Sequence, residues 1–205
     1  MSNAAAGGTN KGDKVIRTGD VIENPVTGER LRFLATSRDT HGEAVVVECT
    51  VEPGGFVAAA HVHPYQEERF EVVSGEVGFK VGGKTIVAGP GETLVVPAGT
   101  PHKFWNQGIY EDAVFVCEVR PALQFESLIE TMFALAAEGK TNAKGLPNPF
   151  RLAVIAAAHF DTVRLPFPHA IVQKTALALG APLGRLLGYG ATYRPVPEFA
   201  GPVVA

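Results

Sequence analysis

Between Val15 and Val119 the chain never runs long without a break. Short stretches rich in Val, Ile, Phe and Thr are parted by ENPVTGE, EPGG, VSGE, VGGK, AGPGE and PAGTP. Gly and Pro at that density stop helices and fix tight reversals, so the segment reads as many short strands joined by close turns. Strands of this kind protect their edges by packing into a sandwich or closing into a barrel. The clearest hairpin is VGFKVGGKTIVAG, where Gly82-Gly83 supplies the positive φ angles that a two-residue primed turn demands.

After Arg120-Pro121 the texture changes. Phe125, Leu128, Ile129, Met132 and Ala136 recur at helical spacing, with Gly139 and Lys140 as a stop. Asn148 offers an N-cap and Pro149 a first-turn residue for a second helix through about His159. A third helix is expected between about Ala170 and Gly188, interrupted by Gly180 and Pro182. LAVIAAAHF and TALALGAPLGRLL are apolar on more than one face. Residues 121–205 therefore read as a helical extension packed on the barrel or on a partner subunit, with a homodimer as the preferred arrangement.

Composition narrows the classes of partner. Eighteen basic against 21 acidic residues give a net charge of -3 without a long run of either sign, so no nucleic acid partner is expected. Gln173, Lys174 and Arg185 interrupt the apolar tail, which argues against a membrane. Residues 1–13 are small and polar, the composition of a disordered arm, and lack the basic start and apolar core of a secretory signal; a cytoplasmic protein is expected. Cys49 and Cys117 each lie in an apolar run and read as buried free thiols.

The chemistry is concentrated in HVHPYQEERFEV, residues 61–72. On a strand, His61 and His63 project from one side, about 6.6 Å apart, close enough to converge on one ion. After a turn at Pro64-Tyr65 a new strand begins near Glu67. Alternation then separates the glutamates: Glu68 shares a face with Phe70 and Val72, whereas Glu67 faces outward with Arg69 and Glu71. Downstream, GETLVVPAGTPHKFWN delivers His102 at the start of another strand, with Phe104 and Asn106 on its face.

These segments carry a family resemblance. Gly55 to Gly75 resembles the first cupin motif: Gly, five residues, His-x-His, four residues, Glu, six residues, Gly. Gly91 to Asn106 resembles the second: Gly, five residues, Pro-x-Gly, two residues, His, three residues, Asn. The resemblance covers about residues 40–120. It implies an antiparallel jelly-roll barrel, placed here at residues 14–120, and one divalent metal ion held by His61, His63, Glu68 and His102.

Three imidazoles and a carboxylate suit Mn, Fe, Co, Ni, Cu or Zn, so ligand type leaves the metal open. The same alternation predicts an apolar pocket wall of Val57, Ala59, Phe70, Val72, Phe104, Phe115 and Cys117. A small barrel of this kind holds one modest ligand. The expected function is a metal-dependent oxygenase-like enzyme acting on a hydrophobic or aromatic small molecule with a chelating oxygen. Two alternatives are a non-redox isomerase, decarboxylase or cyclase, which needs a proton carrier that the sequence does not reveal, and a non-catalytic, metal-assisted ligand-binding or sensor protein. His41 reads as a turn residue, and His159 and His169 as interface or surface groups. Tyr65 and Gln66 read as turn residues that face either substrate or solvent.

Overall fold

The computed structural model describes residues 15–194, so the expected N-terminal arm lies outside the described residues. Among the described residues nine strands precede three helices: β1 (Val21–Asn24), β2 (Glu29–Ala35), β3 (Val45–Val51), β4 (Glu67–Ser74), β5 (Val77–Val81), β6 (Lys84–Ala88), β7 (Thr93–Val96), β8 (His102–Asn106) and β9 (Ala113–Arg120). A six-stranded sheet runs β1-β2-β3-β9-β4-β7 and a three-stranded sheet runs β6-β5-β8, with antiparallel pairing throughout. The chain is thus mainly β, a jelly-roll barrel followed by a helical part.

Alternation in the sequence decides which side chains enter the barrel. β3 and β9 bury every second residue, and their inward rows carry Val45, Val47, Cys49 and Val51 opposite Val119, Cys117, Phe115 and Ala113. Phe70, Phe79, Phe104 and Phe115 form the centre of the core, with successive ring centroids 5.1–6.3 Å apart. Edge-to-face packing of this kind adds to their area burial. Gly82 and Gly83, at φ 54° and 89°, close the β5–β6 hairpin. Cys49 and Cys117 are both buried and free.

The helices are α1 (Phe125–Ala137), α2 (Pro149–Ala158) and α3 (Ala170–Leu186). Asn148 caps α2, its side-chain oxygen accepting from the Arg151 amide at 3.0 Å. α3 departs from expectation, since it continues through both Gly180 and Pro182. The small residues there permit close packing. A Cβ on Gly180 would lie 3.2 Å from the Ala153 Cβ, and one on Gly184 would lie 2.4 Å from the Phe150 carbonyl oxygen, so α3 rests tightly on α2. Its opposite side leaves Ile171, Leu179 and Leu186 exposed. Among the described residues no helix is long and apolar enough to cross a membrane.

The helical part also touches the barrel directly. α1 packs on β1, and Glu126 in its first turn accepts from the Ser37 amide at 3.0 Å. The strap after α2 forms a bridge with the segment that carries the paired histidines: the Val62 amide donates to the Arg164 carbonyl at 2.9 Å, and the Arg164 amide to Val62 at 3.0 Å.

Candidate metal centre

His61 and His63 do not lie on a regular strand. They occupy a short bridged segment in which His61 exchanges both backbone hydrogen bonds with His102 at 2.9 Å, while Val62 bonds outward to Arg164. The uniform strand spacing expected for this pair is replaced by a segment pinned on its two sides by different partners. Both imidazoles nevertheless enter the barrel, with ring centroids 4.9 Å apart. The His102 ring stands 4.3 Å from that of His61 and 5.6 Å from that of His63. Glu68, second residue of β4, is buried, whereas its neighbour Glu67 is exposed.

The structure brings His61, His63, Glu68 and His102 together, with one nitrogen or oxygen of each within 4.8 Å of those of the other three. What faces their outer nitrogens settles how they are oriented. His61 Nδ1 lies 2.8 Å from the Ala59 carbonyl, His63 Nδ1 2.7 Å from the Thr162 carbonyl, and His102 Nδ1 2.9 Å from the Thr100 carbonyl. A carbonyl oxygen only accepts, so each Nδ1 carries the proton and donates, and each Nε2 keeps its lone pair. Fixing the outer nitrogen in this way is how proteins prepare imidazoles as metal ligands.

The inner atoms show the complementary feature. His102 Nε2 and Glu68 Oε2 approach to 2.6 Å, yet their alignment is not that of a hydrogen bond, and both atoms are buried without a hydrogen-bonding partner. His63 Nε2 lies 3.5 Å from the other Glu68 oxygen. Unsatisfied buried polar atoms are costly, and a shared cation neutralises all of them at once. The residues present therefore fit a divalent transition ion, whose identity the donor set leaves open.

Charge within the cluster follows from burial and crowding. Burial alone would raise the Glu68 carboxyl, but the nearby His63 and His102, followed by His61, bring it down to about 2. His61 is lowered to about 3, first by burial and then by His63 and His102. Burial pushes His102 downward, yet the adjoining Glu68 carboxylate outweighs it and the net direction is up.

A cavity of about 530 Å³ opens in front of this cluster. Val57, Ala59, Phe70, Phe104, Phe115 and Cys117 line it, and the wall is overwhelmingly apolar. Val72 does not line it. It lies two residues beyond Phe70 and belongs to the packed core with Val77 and Phe79, where the aromatic rings fill the barrel. Leu128, Met132, Ile155, Val163 and Leu165 complete the wall from the helical part, so the extension contributes to the cavity itself.

Gln66 is the main surprise near the ligands. It is 1% exposed and faces neither solvent nor the cavity, whereas Tyr65 is 62% exposed. Its Nε2 donates to the carbonyls of Pro121 and Ala122 at 2.8 and 3.0 Å, which turns its oxygen toward His63 Nδ1 at 2.9 Å. Gln66 thus ties the junction between barrel and helices to a candidate metal ligand. Gln66→Leu is expected to weaken metal affinity about tenfold or more, measured by competition with a chromogenic chelator, with Tyr65→Leu unchanged as the control.

The remaining histidines lie apart from the cluster. His41 sits at φ 54° in an exposed turn, and His169 is exposed at the start of α3. His159, expected at the surface or an interface, is instead buried at the end of α2, where its Nδ1 bonds the Ile155 carbonyl at 2.9 Å. Glu29 was not foreseen as a wall residue. It alternates with Leu31 and Phe33 in ERLRF, the same signal that selects Glu68.

Comparison with known proteins bears on the barrel. Residues 47–117 match the family model described as the cupin domain. A quercetin 2,3-dioxygenase from Bacillus subtilis (strain 168) is 28% identical over 134 residues, covering 54% of this chain and 39% of that protein. The oxidoreductase iacF from Pestalotiopsis fici is 31% identical over 98 residues, covering 45% of this chain and 48% of that protein. The chain thus spans less than half the length of either curated relative. Among solved structures, a conserved protein with a double-stranded β-helix domain from Klebsiella pneumoniae aligns at TM-score 0.44 and 22% identity, over 60% of this chain and 93% of its own.

Proposed function

We propose, from the match of residues 47–117 to the cupin domain model, that the protein is a metal-dependent enzyme, an oxygenase acting on a small hydrophobic or aromatic molecule with a chelating oxygen. One observation carries the proposal: three imidazoles, each with Nδ1 engaged by a backbone carbonyl, gather with the Glu68 carboxylate, and His61, His63 and Glu68 of this cluster open onto one apolar cavity. His61, His63, Glu68 and His102 would hold the ion. When bound, a divalent transition metal supplies Lewis-acid polarisation of a substrate oxygen and, where redox-active, access to dioxygen chemistry.

The chain's own groups define the rest of the site. Phe70, Phe104 and Phe115 offer aromatic edges to a flat ligand, and Leu128, Met132 and Val163 exclude water from the side of the helices. The similarity to a protein named quercetin 2,3-dioxygenase supports a phenolic substrate class. The test is oxygen consumption by iron-, manganese- and nickel-loaded protein supplied with flavonols and catechols. Uptake dependent on both metal and substrate is expected, and no uptake with any combination would overturn the oxygenase proposal.

A further inference from the structure

Strand register sets Glu29 and the metal centre at opposite ends of one wall. Glu29 pairs with Val51, and Val51 with Ala113; Glu68 pairs with Val119. Six residues of β9 separate those two levels, roughly 20 Å of strand. Two inward rows lie between them. The first carries Leu31, Cys49 and Phe115, and the second Val47, Cys117 and Phe70. All six line the cavity, as does Glu29. The wall therefore runs from a carboxyl, across an apolar stretch, to the histidine cluster.

Packing gives no reason for a carboxyl at that level, where the next rows seat Leu31 and Phe33. Thr27 engages one of its oxygens through a hydroxyl at 2.6 Å. Asn24 serves the preceding turn, its side-chain oxygen accepting from the Val26 and Thr27 amides at 3.1 and 3.2 Å.

We propose that Glu29, oriented by Thr27, is a second polar pole of the cavity that hydrogen-bonds a hydroxyl or amide group at the end of the ligand remote from the metal centre. The inference deepens the functional proposal and rests on it for the chemistry of the other end. It specifies an elongated ligand with a chelating oxygen at one end, an apolar middle and a neutral hydrogen-bonding group at the other. A carboxylate or phosphate at that far end is disfavoured wherever Glu29 is ionised, because two anions would then meet in an apolar wall. Burial raises Glu29 to about 7, so near neutrality the group is available both as donor and as acceptor.

The test is calorimetric titration of the purified full-length protein with 4-phenylphenol and with 4-methylbiphenyl, which match in shape and differ in one hydroxyl. Wild type is expected to bind the phenol about tenfold more tightly, and Glu29→Met to bind the two alike. Equal affinities in wild type, no binding of either probe, or a preference that survives in Glu29→Met would overturn the proposal. The wild-type comparison holds whether or not the variant folds. Metal content of the same samples separates the two proposals: wild type that lacks metal but shows the Glu29-dependent preference keeps the polar pole and removes the metal enzyme.

Discussion

His102→Ala is expected to abolish metal retention during purification, and Glu68→Gln to weaken it beyond the roughly 10- to 100-fold that losing a supporting contact costs. Glu67→Gln, one residue away, is expected to leave retention and stability within about 0.5 kcal/mol of wild type. The contrast follows from the pleat of β4, which buries Glu68 beside His63 and His102 and turns Glu67 to solvent opposite Arg120. An amide at position 68 keeps the volume and removes the charge, so its effect isolates electrostatics from packing. His102 has the larger effect because it supplies a donor atom that no neighbouring group replaces: its Nε2 is already buried and unpartnered. Elemental analysis of the four proteins prepared side by side reads the result directly. Equal losses at Glu67 and Glu68 would mean that β4 does not select the ligand.

Glu29→Gln is expected to reverse a pH-dependent penalty. The Glu29 carboxyl is raised from 4.5 to about 7 by burial, with the Thr27 hydrogen bond acting against the shift. Between those two values the folded protein holds a proton that the unfolded chain has released. Unfolding is therefore favoured progressively as pH rises from 4.5 to 7, and the loss is complete above 7. Each pH unit in that window is worth about 1.4 kcal/mol, so the penalty amounts to about 3 kcal/mol. An amide does not titrate and escapes it. Relative to wild type, the variant should gain about 3 kcal/mol between pH 4 and pH 8, measured by urea denaturation at both. The facing groups do not blur the comparison: Thr27 and Asn24 are neutral, Glu52 beside Gly28 is exposed, and burial followed by the Glu29 charge pushes the Cys49 thiol well above its ordinary value. A difference that stays constant with pH would show that Glu29 is not held protonated.

Features governed by local periodicity were legible in the sequence. Inward alternation on β4 and β8 identified Glu68, Phe70, His102 and Phe104, and Asn148 with Pro149 marked the start of α2. The same alternation in ERLRF already carried Glu29. Other features depend on partners distant along the chain. His63 takes its orientation from Thr162, 99 residues later, and Gln66 from Pro121 and Ala122, pairings that no local pattern encodes. Gly180 and Gly184 carry the propensity of helix breakers, but contact with α2 reverses their meaning, because absent side chains bring the two helices together. Val72 shows the limit of parity, which separates inside from outside and does not distinguish cavity wall from packed core.

The central claim is that four side chains share one cation, and anomalous diffraction from crystals of the purified protein tests it most directly. Data collected across the absorption edges of the first-row metals are predicted to show a single strong peak within bonding distance of His61, His63 and His102 Nε2 and a Glu68 oxygen. Density at full metal loading with no peak there, or with the peak at other residues, would contradict it.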